Sequence, residues 1–229
     1  MAVQYSFGQI VTSGLVLALD AADRNSYPGS GTVWTDLSGN NNTGTLTNGP
    51  TFSSANGGSI VFDGVDDYAA TSNTFALSTA TFIAWINQNG TQPTFTGIMY
   101  SRVSEALATG IGTSYNTNNQ LGYTWNGAIN TYSWNSGLII PNNTWCMIAL
   151  TVSTTNAIAY LYQSSGVTSA TNTVSHSSVS SVKFDIARDS FNSSRFFKGN
   201  IANAQIYNRA LSATEVLQNY NAQKSRFNL

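Results

Sequence analysis

Short runs of alternating apolar and polar residues, closed by Gly, Asn or Asp turns, recur along the whole chain. A period of two puts apolar side chains on one face of a strand, so the pattern predicts an all-β sandwich. Thr81-Phe-Ile-Ala-Trp-Ile86 shows it most clearly, with Phe82, Ala84 and Ile86 on one face. Leu15-Val-Leu-Ala-Leu19 is apolar throughout, as in a strand covered on both sides. Further strands are expected over 59–62, 68–71, 98–101, 107–113, 120–125, 145–153, 157–162, 182–187 and 200–207. The one helix signal is Ser212-Ala-Thr-Glu215, a capping box followed by Val216, Leu217 and Tyr220, which predicts a short helix over 212–222. One sandwich can use all 229 residues, with 1–13 as an N-terminal arm and 14–229 as the domain.

Composition narrows the partners. Charged residues are 8% of the chain, against about 25% in typical soluble domains. Ser, Thr and Asn number 29, 27 and 26, so hydroxyls and amides make the polar surface. Such a surface suits packing in an assembly or hydrogen bonding to sugars. It suits nucleic acid poorly, because duplex binding needs several Lys or Arg to neutralise phosphates. Net charge is −1 but unevenly spread: residues 1–70 carry six Asp and one Arg, and residues 183–229 carry seven Lys or Arg and three acids. Either the two end segments pair with each other, or they dock neighbouring subunits, as in a homo-oligomer. No apolar run is long enough to span a bilayer, so no membrane partner is expected. The N-terminal residues carry no signal-peptide pattern, which predicts synthesis in a cytoplasm.

Catalytic chemistry finds little support. Retaining glycoside hydrolysis needs two carboxyl groups about 5–5.5 Å apart, yet the chain has only Glu105 and Glu215 as glutamates and no strand with alternating acids. The only histidine, His176, has no acid near it in sequence and reads as a surface residue. Cys146, the only cysteine, sits in an apolar run and reads as a buried, inert thiol. No catalytic residue is assigned, and the chain is expected not to be an enzyme.

Two binding sites are worth weighing. Leu121-Gly-Tyr-Thr-Trp-Asn-Gly127 is followed by Tyr132-Ser-Trp-Asn135. Paired as a hairpin, Tyr123, Trp125, Tyr132 and Trp134 could pave one face, with Asn126 hydrogen-bonding a sugar's hydroxyls. The same four rings could instead be ordinary cross-strand packing on a core face. Trp34, Trp85 and Trp145 are expected in the core. Asp63, Asp66 and Asp67 crowd one turn and could supply oxygens to Ca²⁺. They could equally cap that turn through Asx hydrogen bonds.

A set of phrases then carries a resemblance. Near the start stand Gly14-Leu-Val-Leu-Ala-Leu-Asp20, Val33-Trp-Thr-Asp-Leu-Ser-Gly-Asn40 and Ser59-Ile-Val-Phe-Asp-Gly-Val-Asp-Asp-Tyr68. Near the end stands Gly199-Asn-Ile-Ala-Asn-Ala-Gln-Ile-Tyr-Asn-Arg-Ala-Leu-Ser-Ala-Thr-Glu215. Together they resemble a laminin-G-like domain of the concanavalin A-like lectin/glucanase group, over about residues 14–222. The resemblance implies a two-sheet antiparallel jelly-roll sandwich with one short C-terminal helix. Relatives commonly carry Asp-Glu after the Gly-x-Ile of the last strand, where this chain has Ala202 and Asn203. That departure weakens the calcium expectation. The N-terminal phrases are also similar to modules in tailed-phage structural proteins. This implies a virion-surface structural protein, a capsid decoration or fibre component, with other virion proteins and a host-surface glycan as partners. The alternative is a lectin-like adhesion module acting through glycan binding alone.

Overall fold

The computed structural model describes residues 9–191 and 193–229. In chain order the strands begin as β1 (Leu15–Asp20), β2 (Val33–Trp34), β3 (Gly44–Thr47), β4 (Thr51–Ser53), β5 (Ser59–Asp63) and β6 (Tyr68–Thr71). They continue as β7 (Phe75–Leu77), β8 (Ala80–Gln88), β9 (Thr96–Arg102), β10 (Ala108–Thr113) and β11 (Gly122–Thr124). After the short helix α1 (Ile129–Tyr132) come β12 (Cys146–Val152), β13 (Ala157–Gln163), β14 (Gly166–Asn172), β15 (Val179–Val182), β16 (Asp185–Ile186) and β17 (Lys198–Tyr207). Helix α2 (Ala213–Gln223) follows.

Two antiparallel sheets face each other, as expected for a concanavalin A-like jelly roll. The larger runs β14-β13-β12-β8-β17-β5-β4, with β1 alongside β17. The smaller runs β11-β10-β9-β16-β6-β3-β2. Between them Leu17, Trp34, Phe62, Phe82, Ile148 and Phe184 form the main core. The alternation read in β8 holds: Phe82, Ala84 and Ile86 face this core, while Ile83 and Trp85 face outward. That outer face is also covered, which is why β8 and β12 are buried along nearly their whole length. Its cover is α2 and the turn after it, whose Phe227 ring stacks 4.2 Å from Trp85. The Ser212 capping box is formed, starting α2 one residue later than the sequence suggested.

The charged ends meet each other: Arg226 Nη1 lies 2.9 Å from Asp20 Oδ1. The start of the expected arm, residues 1–8, lies outside the described residues. Its remainder packs on the domain, with Val11 N–H donating to Asn219 Oδ1 at 2.7 Å. Among the described residues no helix is long and apolar enough to cross a membrane.

Three expectations need correcting. The strand read over 182–187 is two strands in different sheets, β15 beside β7 and β16 between β9 and β6. The chain changes partner at Phe184, whose N–H donates to Thr71 Oγ1 and whose carbonyl accepts Thr71 N–H. His176 is buried rather than superficial, held by Tyr123 Oη at Nε2 and the Ser153 carbonyl at Nδ1, both at 2.9 Å. Trp145 is only half-buried, its indole N–H donating to Asn56 Oδ1. Cys146 is fully buried, and burial pushes its thiol up to about 12, which leaves it inert at neutral pH.

Candidate functional site

The hairpin face of four exposed rings is not formed. Tyr123 and Trp125 point into the core between the sheets, at 0% and 2% exposure. No strand returns beside β11 in the way the sequence suggested: residues 129–132 make the turn of helix α1 instead. The local cause is Thr131, whose hydroxyl accepts the Trp125 N–H at 3.0 Å, the donor a return strand would have used. Trp134 packs edge-on against Tyr123, 5.8 Å between centroids. Asn126 donates from Nδ2 to the Ser177 hydroxyl at 2.9 Å. Of the five residues proposed for sugars, Tyr132 lines an open cavity.

The acidic trio does lie together. Ligand oxygens of Asp63, Asp66 and Asp67 fall within 4.8 Å of one another. Asp63 Oδ1 accepts the Val65 N–H at 2.7 Å, and Asp67 Oδ2 accepts the Asp63 N–H at 3.1 Å. Burial, reinforced by the charges of Asp63 and Asp66, pushes the Asp67 carboxyl above its usual range. A calcium site needs six to eight oxygens, and two of these carboxylates already close the β5–β6 turn. The geometry fits a turn cap.

Sequence reasoning missed a different site, on the outer face of the smaller sheet. There Tyr100, Ala108 and Tyr115 form a third apolar cluster, joined by Phe95 and Tyr132. Around it lies a cavity of about 320 Å³ lined by Phe95, Tyr100, Tyr132, Phe191, Arg102, Arg195 and Glu105, among others. Strands β9, β10 and β11 supply its floor through Tyr100, Ala108 and Thr124. The Tyr115 and Thr124 hydroxyls are 3.2 Å apart beneath it. The walls come from α1 and from the loop between β16 and β17.

Two glycines permit this assembly. A Cβ on Gly97 would stand 2.5 Å from the Arg188 carbonyl, so only glycine lets the 188–197 loop close onto β9. A Cβ on Gly127 would meet the Glu105 carbonyl oxygen, and Gly127 also adopts φ +61°.

The electrostatic centre is Asp189, fully buried below the cavity. Its Oδ1 accepts from Arg102 Nε at 2.5 Å, and its Oδ2 accepts from Arg102 Nη2 at 2.8 Å and Arg195 Nη1 at 2.7 Å. The guanidinium carbons lie over aromatic rings: Arg102 at 4.9 Å and Arg195 at 4.2 Å from the Phe191 centroid. Each such contact contributes about 0.5–2 kcal/mol. Burial, then the Asp189 charge, pushes the Tyr100 phenol up, so it remains a neutral hydrogen-bonding group. Two arginines thus stand fixed between aromatic walls, with Glu105 as the one carboxylate in the cavity lining. Asp189 has both oxygens committed to arginines. The lining thus combines aromatic faces with fixed guanidinium donors and a single carboxylate, Glu105.

Comparison with known proteins agrees with the architecture. Domain 4 of an extracellular arabinanase from Geobacillus stearothermophilus, solved with arabinotriose, superposes with TM-score 0.68 at 17% identity, covering 92% of this chain and 99% of that one. A sialidase from Trypanosoma rangeli in complex with sialic acid gives 0.60 at 16%, covering 93% of this chain and 33% of the enzyme. The binding domain of a paraclostridial mosquitocidal protein gives 0.58 at 16%, with 93% and 52% covered. The chain thus spans about a third of the sialidase and about half of that binding domain. At these identities the likeness shows the fold. No curated protein matches by sequence. A family model described as concanavalin A-like lectin/glucanases superfamily, of laminin-G type, matches residues 62–217, and the chain belongs to that family.

Proposed function

We propose that the protein is a non-catalytic glycan-binding module that takes its ligand in the cavity over Tyr100, Arg102, Tyr132 and Arg195. The observation that carries this reading is the combination of aromatic walls and two arginines immobilised by one buried carboxylate. Rings offer apolar faces to the C–H surface of a sugar, and guanidinium edges donate to its hydroxyls. Fixed donors lose little freedom on binding, which favours affinity. The cavity volume lies in the range of small-ligand sites, about 300–1,000 Å³. The arabinotriose-bound domain supports the reading by its fold.

The test is a glycan array followed by calorimetric titration of the best ligand. Binding that falls at least tenfold in Arg195→Gln, with the fold intact, supports the proposal. Absence of binding across a broad array contradicts it.

We also propose that the module acts at a virion surface, as the resemblance to phage structural modules implies. The low charge and the abundance of Ser, Thr and Asn support display on a particle. Immunogold labelling of purified particles with antibody to this chain tests that setting; unlabelled particles would rule it out.

A further inference from the structure

A second cavity of about 330 Å³ adjoins the first and shares Arg102 with it. Its character is different. Where the first is walled by rings, the second is lined by Thr74, Ser101, Lys183, Asp185 and Ser190 beside Arg102.

Its charges are unequally matched. Asp185 is taken by Arg188, whose Nη2 lies 2.6 Å from Oδ2, and Asp189 is taken by Arg102 and Arg195. Lys183 is exposed and makes no ion pair among the described residues. Two arginines share one carboxylate and one lysine has none, so positive charge is in excess around this cavity. Arg102 spends Nε and Nη2 on Asp189; a guanidinium carries five N–H donors, so Nη1 has others to give. The Ser101 hydroxyl, in a residue 1% exposed that lines the same cavity, has no hydrogen-bond partner among the described residues. A buried hydroxyl without a partner is costly.

We infer that the second cavity receives the anionic group, a carboxylate or sulfate ester, of an acidic glycan whose neighbouring ring portion lies in the first cavity. The ligand then crosses Arg102, with rings against Tyr132 and Phe191 and its charge between Arg102 and Lys183. This inference rests on the glycan-binding reading above and specifies the class of sugar.

The experiment is calorimetric titration of the whole chain with three oligosaccharides: an oligogalacturonate, its carboxyl-reduced neutral counterpart, and a sulfated oligosaccharide of the same length. An anionic ligand is expected to bind about tenfold more tightly than the neutral one at low salt. The preference should shrink in 0.5 M salt, and in Lys183→Met. Tighter carboxylate binding assigns the group as a carboxylate; tighter sulfate binding assigns a sulfate ester. Equal affinity for the neutral ligand overturns the inference and leaves the glycan-binding reading standing. No binding of any of the three overturns the inference, while the glycan-binding reading falls only with absence of binding across the broad array. A melting curve of Lys183→Met identical to that of the parent shows that a lost preference is not lost folding.

Discussion

Arg195 Nη1 lies 2.7 Å from Oδ2 of Asp189, an acid with no exposed surface, and Arg102 grips the same carboxylate from β9. One buried charge therefore ties the 188–197 loop to the smaller sheet and sets the shape of the cavity above it. Removing one partner of a buried ion pair costs about 3–5 kcal/mol, because the survivor stays buried and unpaired. Asp189→Ala should lower unfolding stability by about 3 kcal/mol in urea denaturation. A loss below about 1 kcal/mol would mean that the arginines relax to solvent and that Asp189 is no keystone.

The outer face of the larger sheet depends on α2. Ser212 Oγ accepts the Glu215 N–H, and the Glu215 carboxylate returns to the Ser212 N–H and also pairs with Arg209 at 2.6 Å. The Arg209 hydrogen bonds, then those of Ser212, hold the Glu215 carboxyl at about 2. Ser212→Ala should cost about 1 kcal/mol, read as a lower melting temperature, with the glycan affinity unchanged because the cavity is on the opposite sheet.

His176 makes folding sensitive to acid. Its Nδ1–H donates to the Ser153 carbonyl, so Nε2 is the acceptor for the Tyr123 hydroxyl. Burial lowers the His176 pKa, with the Ser153 bond opposing. Below about pH 6.5 the unfolded chain binds a proton that the folded chain refuses, so stability falls as pH drops from there toward the folded-state value. The slope from this residue is at most about 1.4 kcal/mol per pH unit. His176→Gln should remove that component from stability measured between pH 7 and 5. An unchanged pH profile would assign the acid sensitivity to other groups.

The Asp63–Asp66–Asp67 turn provides a metal test. If two of its carboxylates act as caps, 1 mM Ca²⁺ or EDTA should leave the melting temperature where it was, since a ligand bound only by the folded state raises it. A rise of several degrees with Ca²⁺, lost in Asp66→Asn, would show that the trio holds a cation.

The fold was legible because its signals are local. Alternation in Phe82–Ile86, the apolar run Leu15–Leu19 and the Ser212 capping box each state a geometry within a few residues. Short strands such as Val33–Trp34 and Thr51–Ser53 were not legible, since two or three residues show no period. The site was hidden for a related reason. Phe95, Arg102, Tyr132, Asp189 and Arg195 are spread over a hundred residues and come together only when β9, α1 and the loop before β17 assemble. The phrase Tyr-x-Trp-Asn occurs at 123–126 and again at 132–135, but alternation alone cannot say which face of β11 is the core. The charge excess in residues 183–229 was the available hint, since Arg195 and Lys183 of that segment line the two cavities.

Glycan binding by this protein stands or falls on where the ligand sits. The most direct measurement is an amide NMR titration of the ¹⁵N-labelled chain with the best array ligand. Shifts are expected to cluster at Tyr100, Arg102, Gly127, Tyr132 and Arg195. Shifts confined to the Asp63–Asp67 turn, or to any surface away from these residues, would contradict this placement.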